Sequence, residues 1–66
     1  MIIFDKLWET MKEKGITKYV LREKYNFESK TLRRLKANEG VTTKTLSKIC
    51  EILDCKLEDI AEYVKD

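Results

Sequence analysis

The sequence predicts an all-α fold, and three observations lead to that prediction. Apolar residues recur at i, i+3, i+4 and i+7, the spacing of one helical face, in segments that begin at Phe4, Leu46 and Leu57. No segment of comparable length alternates between apolar and polar residues as a half-buried strand does. Candidate breaks divide the chain near Gly15, Asn26, Gly40 and Asp54. We therefore expect a compact domain of five short helices, which must pack on one another because helices of this length are not stable alone.

The first three helices are expected at residues 5–14, 18–25 and 29–37. Gly15 can adopt the left-handed conformation that closes a helix, and Thr17 is a typical N-cap for the helix that follows. Asn26 tolerates a positive φ better than most non-glycine residues, so a tight turn is expected there. Either Glu28 or Ser29 caps the third helix.

The fourth helix is expected at residues 43–53 and the fifth at residues 57–64. Thr42 is the expected N-cap of the fourth helix, whereas Lys56 gives only a weak start signal for the fifth. The predicted core collects the apolar face of each helix: Leu7, Trp8, Met11, Val20, Leu21, Leu32, Leu35, Leu46, Ile49, Cys50, Leu53, Ile60, Ala61 and Val64.

Size and composition exclude several classes of protein. A chain of 66 residues has room for a single domain, expected over residues 1–66, and not for a two-domain enzyme. No apolar run approaches the ~20 residues of a membrane span, and the start lacks a signal-peptide cleavage site. The sequence has no histidine and two cysteines, too few ligands for a structural zinc site. We expect a cytoplasmic, non-enzymatic protein with no metal, no cofactor and no small-molecule ligand.

Charge is distributed unevenly along the chain. Residues 12–36 carry nine basic side chains against three acidic ones, a net charge of +6, whereas residues 37–66 carry four basic against seven acidic ones. The whole chain has a net charge of only +2. A basic central segment suggests a polyanionic partner, and the alternative is an ordinary solvated helix surface.

The second and third predicted helices, joined by a tight turn, have the form of a helix-turn-helix, whose second helix enters the DNA major groove. On a helical wheel of about 100° per residue, Leu32 and Leu35 share the buried arc of the third helix. The opposite face has no carboxylate and carries Ser29, Lys30, Arg33, Arg34 and Ala37. Arginine can pair with O6 and N7 of guanine, and lysine and serine can donate to base edges or phosphates. We therefore expect base contacts from Ser29, Lys30, Arg33 and Arg34.

Two helix N-termini flank this face as candidate phosphate contacts. Thr17 and Lys18 open the second helix, and Thr42, Thr43 and Lys44 open the fourth. Free backbone N–H groups, a hydroxyl and an ammonium together suit a phosphate group. Because threonine caps are common, each position also has a purely structural interpretation.

The segment Lys18–Leu35, KYVLREKYNFESKTLRRL, resembles the helix-turn-helix window of Cro/Xre-type DNA-binding domains, which have the lambda-repressor-like fold. Apolar positions match at Leu21, Tyr25, Phe27, Leu32 and Leu35. The segment LSKICEILDC, residues 46–55, is similar to small stand-alone regulators of the Xre type. The resemblance covers about residues 4–64, nearly the whole chain.

The resemblance implies a five-helix transcriptional regulator that binds double-stranded DNA as a homodimer on a near-palindromic operator. It places Asn38, together with Thr42, Thr43 and Lys44, near the DNA backbone, and Lys18 at a position that often contacts DNA. Asn26 departs from the family pattern because it replaces the glycine of the turn.

Arg22 is a second departure, since the family usually has alanine at this position. Its side chain is expected either to extend along the surface with the guanidinium outside or to pair with Glu23 or Glu28. The apolar start, Met1 to Phe4, is expected to exceed what the core absorbs and to form a dimer contact with Tyr63 and the last helix.

A second interpretation is a helical protein-interaction module, such as an antitoxin-like subunit, whose acidic tail or apolar edge binds another protein. A module of that kind should show apolar or aromatic residues on the third helix in place of cations. An enzyme is the least favoured interpretation, because no nucleophile is placed beside a base.

Overall fold

The computed structural model describes all 66 residues, and most of them are helical. The four α-helices are Asp5–Lys14 (α1), Lys18–Tyr25 (α2), Ser29–Lys36 (α3) and Thr43–Leu53 (α4). A 3₁₀ turn follows at Leu57–Asp59, and two short strands, Ile2–Ile3 (β1) and Glu62–Tyr63 (β2), join the two ends of the chain. Helices α1, α2 and α4 have the predicted bounds, and α3 ends one residue earlier than predicted.

The predicted helix ends of the first half of the chain are confirmed. Gly15 closes α1 with a φ of 69°. The Thr17 hydroxyl accepts the backbone N–H of Val20 at 3.1 Å and caps α2. Asn26 ends α2 with a φ of 58°, the left-handed conformation expected of the turn. Short-range chemistry therefore fixes these boundaries.

Helix α3 begins without a side-chain cap. Glu28 is extended and occupies the N-cap position, but its side chain accepts no backbone N–H. Of the two expected caps, Glu28 therefore holds the N-cap position, and Ser29 is the first helical residue. After α3, Asn38 adopts a left-handed φ of 57°, and its Oδ1 accepts the backbone N–H of Phe4 at 2.8 Å.

The predicted fifth helix is wrong, and so is the expectation of a fold without strands. The Thr10 hydroxyl donates to the carbonyl oxygen of Asp59 at 2.6 Å, which holds the chain after a single 3₁₀ turn. Ile60 follows with a φ of −125°, outside the helical range, and its side chain is fully buried. Strand β2 then pairs antiparallel with β1, with Ile2 opposite Tyr63. The apolar spacing from Leu57 predicted a helix that buries Leu57. In the structure Leu57 is exposed, so this spacing does not mark one buried face.

The core is one cluster of buried apolar side chains from every helix and from both ends of the chain. Its members are Phe4, Leu7, Met11, Leu21, Phe27, Leu32, Leu35, Ile49, Leu53 and Ile60. Phe4 and Phe27 were absent from the predicted core, so the core absorbs more of the N-terminal segment than expected. Predicted core residues that are only partly buried are Trp8, Val20, Leu46, Cys50, Ala61 and Val64. None of the helices is long and apolar enough to cross a membrane.

Candidate nucleic-acid interface

The solvent-exposed face of helix α3 carries positive charges and no negative ones. Leu32 and Leu35 anchor its inner side in the core, with 6% and 0% of their surface exposed. All five residues predicted on the opposite face are exposed: Ser29, Lys30, Arg33, Arg34 and Ala37. The ion pair within 4 Å in this structure joins the Met1 amino group to Asp66, so no carboxylate neutralises the cations of α3. A cationic surface of this kind attracts polyanions.

A cleft between α2 and α3 extends the cationic face beyond the predicted residues. Its volume is about 220 Å³, and it is lined by Lys18, Arg22, Ser29, Leu32, Arg33 and Lys36. Arg22 forms no ion pair with Glu23 or Glu28, so that predicted pairing is wrong, and the guanidinium group lies outside as the other alternative expected. Four basic side chains from two helices therefore line the same cleft as the Ser29 hydroxyl.

Arg22 and Lys36 were not among the predicted contact residues, because their place in this cleft depends on how α2 packs against α3. The substitution of arginine for the usual alanine at position 22 was the available signal. On the other side of α3, a second cleft of about 410 Å³ is lined by Lys30, Arg33, Arg34, Ala37 and Glu39. Arg33 borders both clefts, so the two form one continuous cationic surface.

Trp8 connects three helices at the edge of the first cleft. The Nζ atoms of Lys18 and Lys36 lie 5.0 and 5.3 Å from the centroid of its ring. Cation–π attraction at these distances holds ammonium groups near the ring face. Trp8 is half-buried against the core, so one indole both packs α1 and orients two lysines of the cationic surface.

The N-termini of α2 and α4, predicted as phosphate contacts, each keep backbone donors without a partner in the helix. In each helix the threonine cap binds the third N–H: Thr17 that of Val20, and Thr42 that of Thr45 at 3.2 Å. The first N–H groups of a helix have no intrahelical partner, so the backbone N–H groups of Lys18 and Thr43 are free to bind an anion. Neither helix has an acidic residue in its first turn. Both termini therefore favour an anion.

Helix α4 is tied to the turn between α2 and α3. The Lys48 ammonium donates to the carbonyl oxygen of Tyr25 at 3.2 Å and lies 5.0 Å from the centroid of the Phe27 ring. A cation at this place satisfies a carbonyl at the C-terminus of α2. The contact fixes the middle of α4 relative to the helix-turn-helix, and no sequence pattern predicts it.

The predicted contact residue Asn38 has a structural role. Its Oδ1 is engaged by Phe4, which leaves the side-chain NH₂ as the group that can donate to another partner. The bond ties the segment after α3 to the residue between β1 and α1.

The two thiols lie outside this surface. Cys50 and Cys55 are free and half-buried. Burial, followed by the neighbouring Cys50, raises the pKa of the Cys55 thiol, so Cys55 is neutral at neutral pH and a poor nucleophile. No group of three or more His, Cys, Asp or Glu side chains is placed to hold a metal ion.

Comparisons with known proteins agree with the geometry. The family model of the Cro/C1-type helix-turn-helix DNA-binding domain matches residues 6–66. No curated protein matches the chain. Among solved structures, the crystal structure of the transcriptional regulator VanUg is similar, with 32% sequence identity and a TM-score of 0.87 over 98% of this chain and 87% of that one. The chain therefore belongs to the Cro/C1-type helix-turn-helix DNA-binding family.

Proposed function

We propose that this protein is a transcriptional regulator that recognises a specific sequence of double-stranded DNA, with α3 in the major groove. The observation that carries the proposal is the exposed face of α3, which is cationic and has no paired carboxylate. The membership of the DNA-binding family and the similarity to a transcriptional regulator support it.

Base readout is assigned to the outer face of α3. Arg33 and Arg34 are exposed and can each reach guanine with two parallel hydrogen bonds. Lys30 and Ser29 can donate to neighbouring bases or phosphates. Ala37 is small, so the helix can approach the floor of the groove closely.

Backbone contacts are assigned to the two helix N-termini and to the cleft beside α3. Their residues are Thr17, Lys18, Asn38, Thr42, Thr43 and Lys44, to which the cleft adds Arg22 and Lys36. Contacts of this kind fix the orientation of α3 and carry little sequence information.

Two copies on a near-palindromic operator are the proposed functional state, with one helix-turn-helix domain in each chain. A two-fold assembly would place two recognition helices in successive major grooves, about 34 Å apart. The alternative of a protein-interaction module is disfavoured because α3 exposes no large apolar or aromatic residue.

The first test is the salt dependence of binding to a random duplex. Fluorescence anisotropy of a labelled duplex at about 50, 100 and 200 mM salt should show affinity falling steeply, because bound Lys and Arg release counterions from phosphates. Selection of a preferred site would follow. Absence of binding at the lowest salt would contradict the proposal.

Two substitutions separate base readout from phosphate contact. Arg34→Ala should weaken specific binding by about 1–3 kcal/mol and relax one base position. Lys44→Ala should weaken all duplexes alike and lower the salt slope by about one. Lys65→Ala, which removes an exposed cation outside this surface, is the control and should change neither. If Arg34→Ala and Lys44→Ala behave alike, this division of roles is wrong.

A further inference from the structure

The C-terminal end of α4 is closed by a pair of hydrogen bonds that involves both cysteines of the chain. Asp54 adopts a left-handed conformation with a φ of 49°, and its backbone N–H donates to the carbonyl oxygen of Glu51 at 3.3 Å. The backbone N–H of Cys55 donates to the carbonyl oxygen of Cys50 at 3.1 Å. These two bonds form a Schellman motif, in which the side chains of the first and last residues are frequently in contact.

The same motif closes α1, where an apolar pair occupies the equivalent positions. Gly15 is the left-handed residue there, and the backbone N–H of Ile16 donates to the carbonyl oxygen of Met11 at 2.9 Å. Met11 is buried in the core and Ile16 packs against it. In α4 these positions hold Cys50 and Cys55, so two thiols stand where α1 has an ordinary apolar contact.

The backbone geometry of this motif suits a disulfide between Cys50 and Cys55. Standard bond lengths keep the Cα atoms of two residues joined by such an N–H···O bond within about 7 Å of each other. A disulfide can bridge Cα atoms up to about that distance without backbone movement. Both side chains are only half-buried, so a small oxidant can reach them. The reduced chain is therefore already arranged for closure.

We propose that Cys50 and Cys55 are a dithiol site that closes reversibly to an intramolecular disulfide, with a low-molecular-weight disulfide as the oxidant. The thiolate of one cysteine attacks a sulfur of the oxidant, which forms a mixed disulfide and releases one thiolate. The thiolate of the other cysteine then attacks the protein sulfur of the mixed disulfide. This step forms the Cys50–Cys55 bond and releases the second thiolate. Two electrons pass to the oxidant, and its two thiolates take up the protons that the cysteines lose.

The surroundings of Cys55 set the rate of closure. Burial raises the pKa of the Cys55 thiol most, and the neighbouring Cys50 and Asp59 of the 3₁₀ turn raise it further, whereas Lys14 of α1 lowers it. Only the thiolate attacks a disulfide. Closure should therefore be slow at neutral pH and about tenfold faster for each unit that the pH rises below the pKa of this thiol.

The dithiol site is separate from the cationic surface. Neither cysteine lines either cationic cleft, so the inference does not rest on the proposed function. Closure would join the last turn of α4 to the residues that lead into the 3₁₀ turn, which Thr10 holds through the carbonyl oxygen of Asp59. A cross-link at this place should stabilise the fold because it restricts the unfolded chain.

Mass spectrometry of the protein in a glutathione redox buffer at pH 8 tests the inference. The wild type should lose the mass of two hydrogen atoms and carry no glutathione, and dithiothreitol should reverse the change. Cys50→Ser and Cys55→Ser are the matched controls, since each keeps one thiol and should stop at a mixed disulfide with glutathione. Unreacted thiols, a mixed disulfide alone or a disulfide-linked dimer in the wild type would overturn the inference.

Thermal unfolding followed by circular dichroism checks that closure fits the motif. The unfolding midpoint of the closed protein should exceed that of the reduced protein by about 5 °C or more, and dithiothreitol should abolish the increase. The two serine variants should show no such increase after the same treatment, and their untreated melts establish that they fold. A disulfide that forms without raising the midpoint would mean that closure distorts the motif, which contradicts the proposed arrangement.

Discussion

The helix-turn-helix and the terminal strand pair are built by different means. In the helix-turn-helix, the Thr17 cap binds a backbone group three residues away, and Asn26 turns the chain by its own conformation. In the strand pair, the main-chain bonds of Met1 and Val64 join residues 63 positions apart. The first region is specified by short stretches of sequence, and the second exists only when the rest of the chain has folded.

The two regions thus differ in whether nearby or distant residues determine their structure. The signals that set the bounds of the helices in the region of the cationic face, its cap and its turn residue, lie within that region, although its buried residues pack against the rest of the core. The ends of the chain close the core, because Phe4 enters it from the position between β1 and α1, and Ile60 from the segment before β2. Substitutions can show whether the two regions also contribute differently to stability.

The largest effect is expected where the end of the chain enters the core. Ile60 has 0% of its surface exposed, so Ile60→Ala should lower the free energy of unfolding by about 2–5 kcal/mol. Urea denaturation followed by circular dichroism measures the change. If the loss were only a few tenths of a kcal/mol, the C-terminal segment would be an appendage, and the helix-turn-helix region would hold the fold alone.

An intermediate effect is expected at the hydrogen bond that replaces the fifth helix. Thr10→Val keeps the side-chain shape but removes the donor to the carbonyl oxygen of Asp59. Leaving a partly buried acceptor unpaired should cost about 1–3 kcal/mol. Hydrogen exchange would show the loss concentrated in residues 57–64, with α2 and α3 protected as before. A uniform loss of protection would contradict the separation of the two regions.

The smallest effect is expected at the α2 cap. Thr17→Ala removes the acceptor for the Val20 N–H and should cost about 1 kcal/mol. Thr43→Ala, at the start of α4, removes a hydroxyl without a hydrogen-bond partner and serves as the control. Thermal unfolding should show a lower midpoint for the first variant only. Equal shifts would mean that the cap of α2 is worth no more than an ordinary surface hydroxyl.

Much of the fold could be predicted from the sequence because its signals are local. Gly15, Thr17, Asn26 and Thr42 each set a boundary through their own conformation or one short hydrogen bond. The segment from Leu57 could not be assigned in this way. Its apolar spacing fits a helix, but a bond to Thr10 and pairing with the opposite end of the chain decide the outcome, and no short window contains either partner.

The residues of the candidate site also fall into two groups, those predictable from one helix and those placed by packing between helices. The outer face of α3 follows from the periodicity of one helix, so its five exposed residues could be identified in advance. Arg22 and Lys36 join that surface only because α2 lies against α3, and Lys48 reaches Tyr25 only because α4 crosses the turn. Packing between helices, rather than any property of one helix, places Arg22 and Lys36 beside the candidate surface and Lys48 against the turn that supports it.

Trp8 gives the protein an intrinsic optical probe. It is the single tryptophan of the chain, and two ammonium groups of the cationic surface lie about 5 Å from its ring. If a DNA phosphate drew Lys18 or Lys36 away, the electric field on the indole would change and its emission with it. Trp8 emission would then report occupation of the cleft in the unlabelled protein, with no chromophore added to either partner.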